Sequence, residues 1–126
     1  MNKSILKTIE TPKFTMKYGV KVYPIIKLDK IVPFKNICKV TGQYEDMNIE
    51  ITYIPNNKLI ELESYRLFFK QTFNDYVESL CADFFNLFND MLNCPPQLSV
   101  KVFLEEKTLT PWNVTVNLNE EWKHNR

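Results

Sequence analysis

The sequence has little of several residue types on which common enzyme chemistries depend. Its one histidine, His124, lies two residues from the C-terminus. Chain ends rarely hold a fixed geometry, which argues against histidine triads, His-ligated zinc and histidine acid–base catalysis. The three cysteines, Cys38, Cys81 and Cys94, form neither an even disulfide framework nor a Cys-x-x-Cys pair. Any enzyme built on this chain must use Cys, Asp, Glu, Lys or Tyr, and no metal site is expected.

Long apolar runs are also missing. No stretch approaches the 18 residues or so typical of a membrane span, and no apolar signal segment follows Met1. We therefore expect no membrane association and a cytoplasmic location. The 126 residues fit one domain, spanning residues 1–126, with flexible extensions expected over 1–15 and 119–126.

Charge is unevenly distributed along the chain. Residues 1–40 carry a balance of +7 and residues 41–126 a balance of −6. The basic part either meets phosphate or an anionic substrate, or is a solvated strand face whose lysines discourage edge pairing. The second interpretation is favoured because the lysines are dispersed and no arginine accompanies them, and direct nucleic-acid binding is left open.

Hydrophobic periodicity predicts the order of elements. Extended segments are expected at Val20–Lys27 and Phe34–Cys38. Met47–Ile54 alternates as a half-buried strand, followed by a turn at 55–57. Apolar residues at helical spacing then run from Ile60 to Leu92, with a break near 74–76.

Two more alternating segments follow, Leu98–Leu104 and Trp112–Leu118, joined by a hairpin loop at 105–110. The order is two strands, two helices and two strands. This order predicts an α+β fold, a four-stranded antiparallel sheet with both helices on one face. The other face is poorly covered and the helices are unusually aromatic, so several copies are expected to associate.

Cys38 is the residue most suited to covalent chemistry. It ends a strand, seven residues before Glu45 across a turn that contains Gly42. A thiol becomes a useful nucleophile only beside a base or cation, and Lys39, Glu45 and Asp46 are the local candidates. From spacing alone, a buried structural cysteine is the better interpretation of Cys38, as it is of Cys81.

Two segments of the chain resemble the QueF family of 7-cyano-7-deazaguanine reductases, which have the tunnelling fold. The family's nucleophile pattern is Cys-Pro-x-Thr-Gly-Gln-Pro-Asp, and this chain has Cys38, then Thr41-Gly42-Gln43, then Glu45. After Tyr53-Ile54-Pro55, the segment Glu61–Phe68 resembles the family's cofactor-side pattern. The resemblance spans roughly residues 34–118 and implies the same order of strands and helices.

The resemblance implies site roles. Cys38 takes the position of the family's thiol, Glu45 or the adjacent Asp46 that of its catalytic acid, and Glu78 that of the carboxylate that pairs with the base. Otherwise Glu78 is an acid at a helix N-terminus. Further substrate contacts are expected from the residues Glu61, Leu62, Ser64 and Lys39. The family also implies a homo-oligomeric barrel with active sites between subunits.

The departures from the family bear on the cofactor. Both prolines of the nucleophile pattern are replaced, by Lys39 and Tyr44, and a family lysine is replaced by Glu63, while Arg66 keeps a positive charge. An Arg and two His before Glu78 are absent. Because a 2′-phosphorylated dinucleotide needs cationic contacts, no cofactor is favoured, and NADPH belongs to the reductase alternative.

Four functions remain for a protein with this resemblance. Decarboxylation of 7-carboxy-7-deazaguanine, associated with viral relatives, is favoured. NADPH-dependent reduction of the nitrile, amidine formation on tRNA, and binding of a deazapurine without chemistry are the alternatives. The Asn-, Lys- and Ile-rich composition suggests an AT-rich genome such as that of a phage, in which case the location is the host cytoplasm.

Overall fold

The structure is a computed structural model of the chain. It describes residues 1–11, 25–29, 33–93, 98–104 and 113–117. A 3-10 turn at Lys3–Ile5 is followed, in chain order, by β1 (Thr8–Glu10), β2 (Ile26–Asp29), β3 (Phe34–Ile37), β4 (Tyr44–Tyr53), β5 (Lys58–Ile60), α1 (Leu62–Phe68), β6 (Thr72–Phe73), α2 (Val77–Met91), β7 (Leu98–Leu104) and β8 (Asn113–Asn117).

The long strand β4 organises the main sheet. Its first half pairs with β3 and its second half with β2, both antiparallel and along the same edge. β7 pairs antiparallel along the other edge, and β8 pairs with β7. The extended segment predicted at Phe34–Cys38 corresponds to β3, and the one predicted at Val20–Lys27 overlaps β2, so both segments pair with β4. Residues 20–24 of the predicted segment lie outside the described residues.

Alternation along β4 explains which face of the sheet is buried. Met47, Ile49 and Ile51 are almost fully enclosed, because successive side chains of a strand point to opposite faces. α1 and α2 supply Tyr65, Phe68, Phe84 and Phe88 to the same core. The predicted α+β arrangement of strands, two helices and strands is confirmed in the described residues.

An aromatic cluster joins the helices to β3. The ring of Phe34 lies 5.3 Å from that of Phe69, 5.5 Å from Phe73 and 5.7 Å from Phe84. Most of these pairs are tilted or edge-to-face, the arrangements that aromatic rings favour. The cluster fixes the start of β3 against the helices, and the other end of β3 leads directly into Cys38.

The break between the helices lies where the sequence predicts it. Residues 72–73 form β6, which pairs in parallel with β3, and residues 74–76 connect β6 to α2. α2 ends at Met91 with Leu92 as its C-cap, and Asn93 follows with a φ of 61°. This left-handed conformation commonly ends a helix, and asparagine tolerates it.

The described part of the N-terminal segment, residues 1–11, forms regular structure; flexibility over residues 1–15 stays a prediction. β1 pairs with β5 in a separate two-stranded ribbon, and the backbone N–H of Asn2 donates to Gln71 Oε1 at 2.7 Å. Leu6 is buried in the core. Backbone pairing and this apolar contact order residues that carry no periodic signal of their own. The described part of the segment ends at Thr11, and the extension expected over residues 119–126 lies outside the described residues.

Candidate functional site

A tight hairpin turn between β3 and β4 positions Cys38. The Cys38 N–H donates to the carbonyl of Gln43 at 2.9 Å, and the Gly42 N–H donates to the carbonyl of Cys38 at 2.8 Å. The second bond closes one helical turn, which Gly42 ends with a φ of 71°. Only glycine adopts this conformation at little cost, and nothing lies within 4 Å of a Cβ added there. Backbone geometry thus accounts for the glycine of the Thr41-Gly42-Gln43 sequence.

The turn directs hydrogen-bond donors at the Cys38 sulfur. The Thr41 hydroxyl and the backbone N–H groups of Thr41 and Val40 lower the pKa of the thiol, in that order of importance. Partial burial and the negative charge of Glu45 act weakly in the opposite direction. The net effect is a lowered pKa on a thiol that remains accessible to solvent, the usual environment of a reactive cysteine. Cys81, in contrast, is buried on α2.

The two acids that follow the turn lie on opposite faces of the sheet. Glu45 pairs with Asn36 across the β3–β4 ladder and is half-buried. Asp46 pairs with Lys35, and both side chains are exposed. Strand alternation therefore places Glu45 on the helix-facing side of β4 and Asp46 on the other side. Of the two, Glu45 is the carboxylate whose charge acts on Cys38.

Asn36 connects Glu45 to the start of α2. Its fully buried side-chain amide donates to Glu45 Oε1 at 3.2 Å and to the carbonyl of Asp75 at 3.0 Å. Its oxygen accepts the Asp75 N–H at 3.1 Å. One side chain thus joins β3, β4 and the loop before α2.

Lys39 provides a second connection between the turn and α2. Its ammonium group lies 3.7 Å from the Asp75 carboxylate and 5.6 Å from the centre of the Tyr76 ring. Both contacts are solvent-exposed, so the ion pair is worth little in stability. The pair nevertheless places a cation and an exposed aromatic ring beside the Cys38 turn.

Glu78 lies in the first turn of α2, three residues after Asp75, and is exposed. The structure therefore brings the start of this helix beside the Cys38 turn within one chain. Tyr76 precedes the helix, and its side chain makes no capping hydrogen bond. The role of Glu78 as a ligand for a base stays a prediction.

The substrate contacts expected on α1 lie in a different environment. Glu61 caps the helix, with its two carboxylate oxygens accepting the N–H groups of Glu63 at 3.0 Å and Ser64 at 2.6 Å. These bonds lower the pKa of Glu61. The Ser64 hydroxyl is buried, donates to the Glu61 carbonyl at 2.8 Å and accepts the Lys7 N–H at 3.0 Å. Leu62 is exposed.

Arg66 keeps its positive charge but already has a partner. Its guanidinium pairs with the Glu63 carboxylate one turn earlier on α1. This hydrogen-bonded contact is the main cause of the lowered pKa of Glu63 and the raised pKa of Arg66. The position thus presents an exposed ion pair, and whether it meets a cofactor stays a prediction.

Sequence reasoning missed Asn36, Asp75 and Tyr76 as parts of this region. One signal was present for Asn36, which shares a strand face with Phe34. A polar residue in a buried alternating position needs hydrogen-bond partners, so such a position predicts a buried polar contact. Which partners it finds depends on the long-range placement of α2.

Two kinds of feature are absent from the described residues. No helix in the described part of the chain is both long and apolar enough to cross a membrane. Nor do the cysteine and acidic residues described there form a group suited to a metal ion.

Comparison with known proteins yields a structural likeness alone. No family model matches the chain, and no curated protein matches it. The crystal structure of an archaeosine synthase QueF-Like in its apo form superposes with a TM-score of 0.65 at 15% sequence identity, over 77% of this chain and 95% of that one. The described part of the chain therefore has a fold similar to that of this QueF-like protein, as the sequence predicts.

Proposed function

We propose that this protein acts on the C7 substituent of a 7-deazaguanine base, with Cys38 as the reacting thiol and Glu45 as the neighbouring acid–base group. The observation that carries the proposal is the Cys38 turn. It combines an accessible thiol of lowered pKa with the carboxylate of Glu45, which lies on the helix-facing side of β4 and acts on that thiol. The matching fold of the archaeosine synthase supports the class of substrate.

Decarboxylation of 7-carboxy-7-deazaguanine is the reaction we favour. C7 of the pyrrole ring is electron-rich, so a proton delivered there weakens the bond to the carboxylate. The Cys38 thiol gives this proton, carbon dioxide leaves, and the electrons of the broken bond return to the ring. Glu45 then passes a proton from solvent to the sulfur. The Thr41 hydroxyl and the turn N–H groups stabilise the thiolate formed in the first step.

The surroundings of Cys38 suit a planar substrate. Lys39, whose ammonium group pairs with Asp75, lies in the turn, and Tyr76 presents an exposed ring. Glu78, in the first turn of α2, is proposed to pair with the N–H edge of the base. We further propose that a second copy of the chain completes the site, as the family resemblance implies.

A second candidate is covalent addition of Cys38 to a C7 nitrile, followed by amidine formation. The lowered pKa of the thiol favours it, because a thiolate is the attacking species. The similar archaeosine synthase also favours it. Reduction with NADPH has less support, because Arg66 is paired with Glu63.

A panel of bases tests these proposals by mass spectrometry. Loss of one carbon dioxide from the 7-carboxy base, abolished in Cys38→Ala, supports decarboxylation. A protein adduct with the 7-cyano base, also absent in Cys38→Ala, supports nitrile chemistry, and consumption of NADPH in that mixture identifies the reductase. If no base is altered by wild-type protein, the proposed function is wrong.

A further inference from the structure

The geometry points to Asn36 as the positioning residue that holds Glu45 beside Cys38 and ties both to the start of α2. The carboxamide is fully buried and makes three hydrogen bonds to two partners distant in sequence. The positioning role does not depend on the proposed function. The reaction assigned to Glu45 does rest on it.

The bond to Glu45 constrains what that carboxylate does. One Asn36 N–H donates to Oε1 of the half-buried Glu45 side chain, and Oε2 is not engaged by Asn36. The bond therefore fixes the orientation of the Glu45 carboxylate relative to β3. A carboxylate held in this orientation is suited to passing a proton to the Cys38 sulfur after the thiol has given its own to C7.

The two bonds to Asp75 extend this effect to α2. They fix both the N–H and the carbonyl of Asp75, the residue that also pairs with Lys39. Asn36 thus contacts Glu45, whose charge acts on Cys38, and the backbone of Asp75, whose carboxylate pairs with Lys39 in the turn.

The pH dependence of Cys38 alkylation by iodoacetamide tests the inference without any substrate. Glu45 held near the thiol raises the pKa of Cys38, so Glu45→Gln lowers the midpoint of the profile. Asn36→Ala releases Glu45, and we expect a fall in the midpoint no larger than the one that Glu45→Gln produces. The exposed residue Asn74, in the same loop as Asp75, provides the matched control variant Asn74→Ala, expected to leave the midpoint unchanged.

The double variant separates positioning from a general loosening of the structure. If Asn36 acts through Glu45, Asn36→Ala causes no further fall once Glu45→Gln is present. An equal fall in both backgrounds, a rise, or no change in the wild-type background would overturn the inference. Asn36→Ser, which keeps a small polar side chain, is the substitute if the alanine variant does not fold.

A measurement with Asn36 intact covers the case in which neither variant folds. The side-chain amide protons of Asn36, followed by NMR, are expected to shift as Glu45 titrates and to lose that shift in Glu45→Gln. An invariant resonance contradicts the inference. If wild-type protein alters no base but the alkylation profiles behave as expected, the proposed function fails while the positioning role stands.

Discussion

The three hydrogen bonds of Asn36 allow the stability of one variant to be predicted in some detail. Asn36→Ala removes a fully buried carboxamide and leaves the N–H and carbonyl of Asp75 without their partner. Each buried polar group left unsatisfied costs about 1–3 kcal/mol. The Asp75 side chain is 27% exposed, so water reaches part of this loop. For the two groups together the range is about 2–6 kcal/mol. We expect the free energy of unfolding to fall by about 2–4 kcal/mol, the lower half of that range.

Urea denaturation followed by circular dichroism measures this loss. With a slope of about 2 kcal/mol per molar urea, the midpoint falls by about 1–2 M. The protein concentration is kept the same for all variants, because association shifts apparent stability. Asn74→Ala, an exposed change in the same loop, is expected to leave the midpoint nearly unchanged. Equal midpoints for the two variants would refute the reasoning that Asn36 ties the loop to the sheet.

Three further predictions concern the turn and the cap of α1. Thr41→Val removes the hydroxyl that contributes most to the lowered pKa of Cys38, so the alkylation midpoint rises; an unchanged midpoint contradicts the described contact. Gly42→Ala forces a side chain into a positive φ and costs roughly 1–2 kcal/mol in chemical denaturation, whereas a neutral effect shows that the turn has another conformation. The pKa of Glu61 is lowered in the folded protein, so its contribution to stability is present above the unfolded pKa of about 4.3. That contribution disappears as the pH falls through the lower folded value. Glu61→Gln is therefore expected to make the free energy of unfolding depend less on pH in this acidic range. The same pH dependence in the wild-type protein and the variant would contradict the capping role of Glu61.

Local patterns in the sequence account for much of the fold. Alternation from Met47 to Ile54 predicts the buried face of β4, and helical spacing predicts α2 and the break before it. These patterns can be read from the sequence because each shows which face of a single strand or helix packs against the core. The placement of β2 and β3 along the same edge of β4 gives no such signal, because it depends on which strand each segment pairs with.

The candidate site was predictable from the sequence only in part, because strand register and helix packing decide which residues meet there. Cys38 and the turn glycine follow from a local pattern. Glu45 and Asp46 are equivalent in a linear sequence, and only strand register separates them onto two faces. The links from Asn36 and Lys39 to Asp75 join residues 36 or more positions apart, so they depend on how α2 packs rather than on any short motif.

Carbon dioxide release from 7-carboxy-7-deazaguanine, compared between Glu45→Gln and Asp46→Asn, tests the central claim most directly. Both variants exchange a carboxylate for an amide at adjacent positions of one strand, so they differ mainly in the face they affect. We expect Glu45→Gln to lower the rate by about 100-fold or more, the contribution typical of a positioned acid–base group, and Asp46→Asn to retain nearly the wild-type rate. Loss of activity in Asp46→Asn with activity retained in Glu45→Gln would contradict the account.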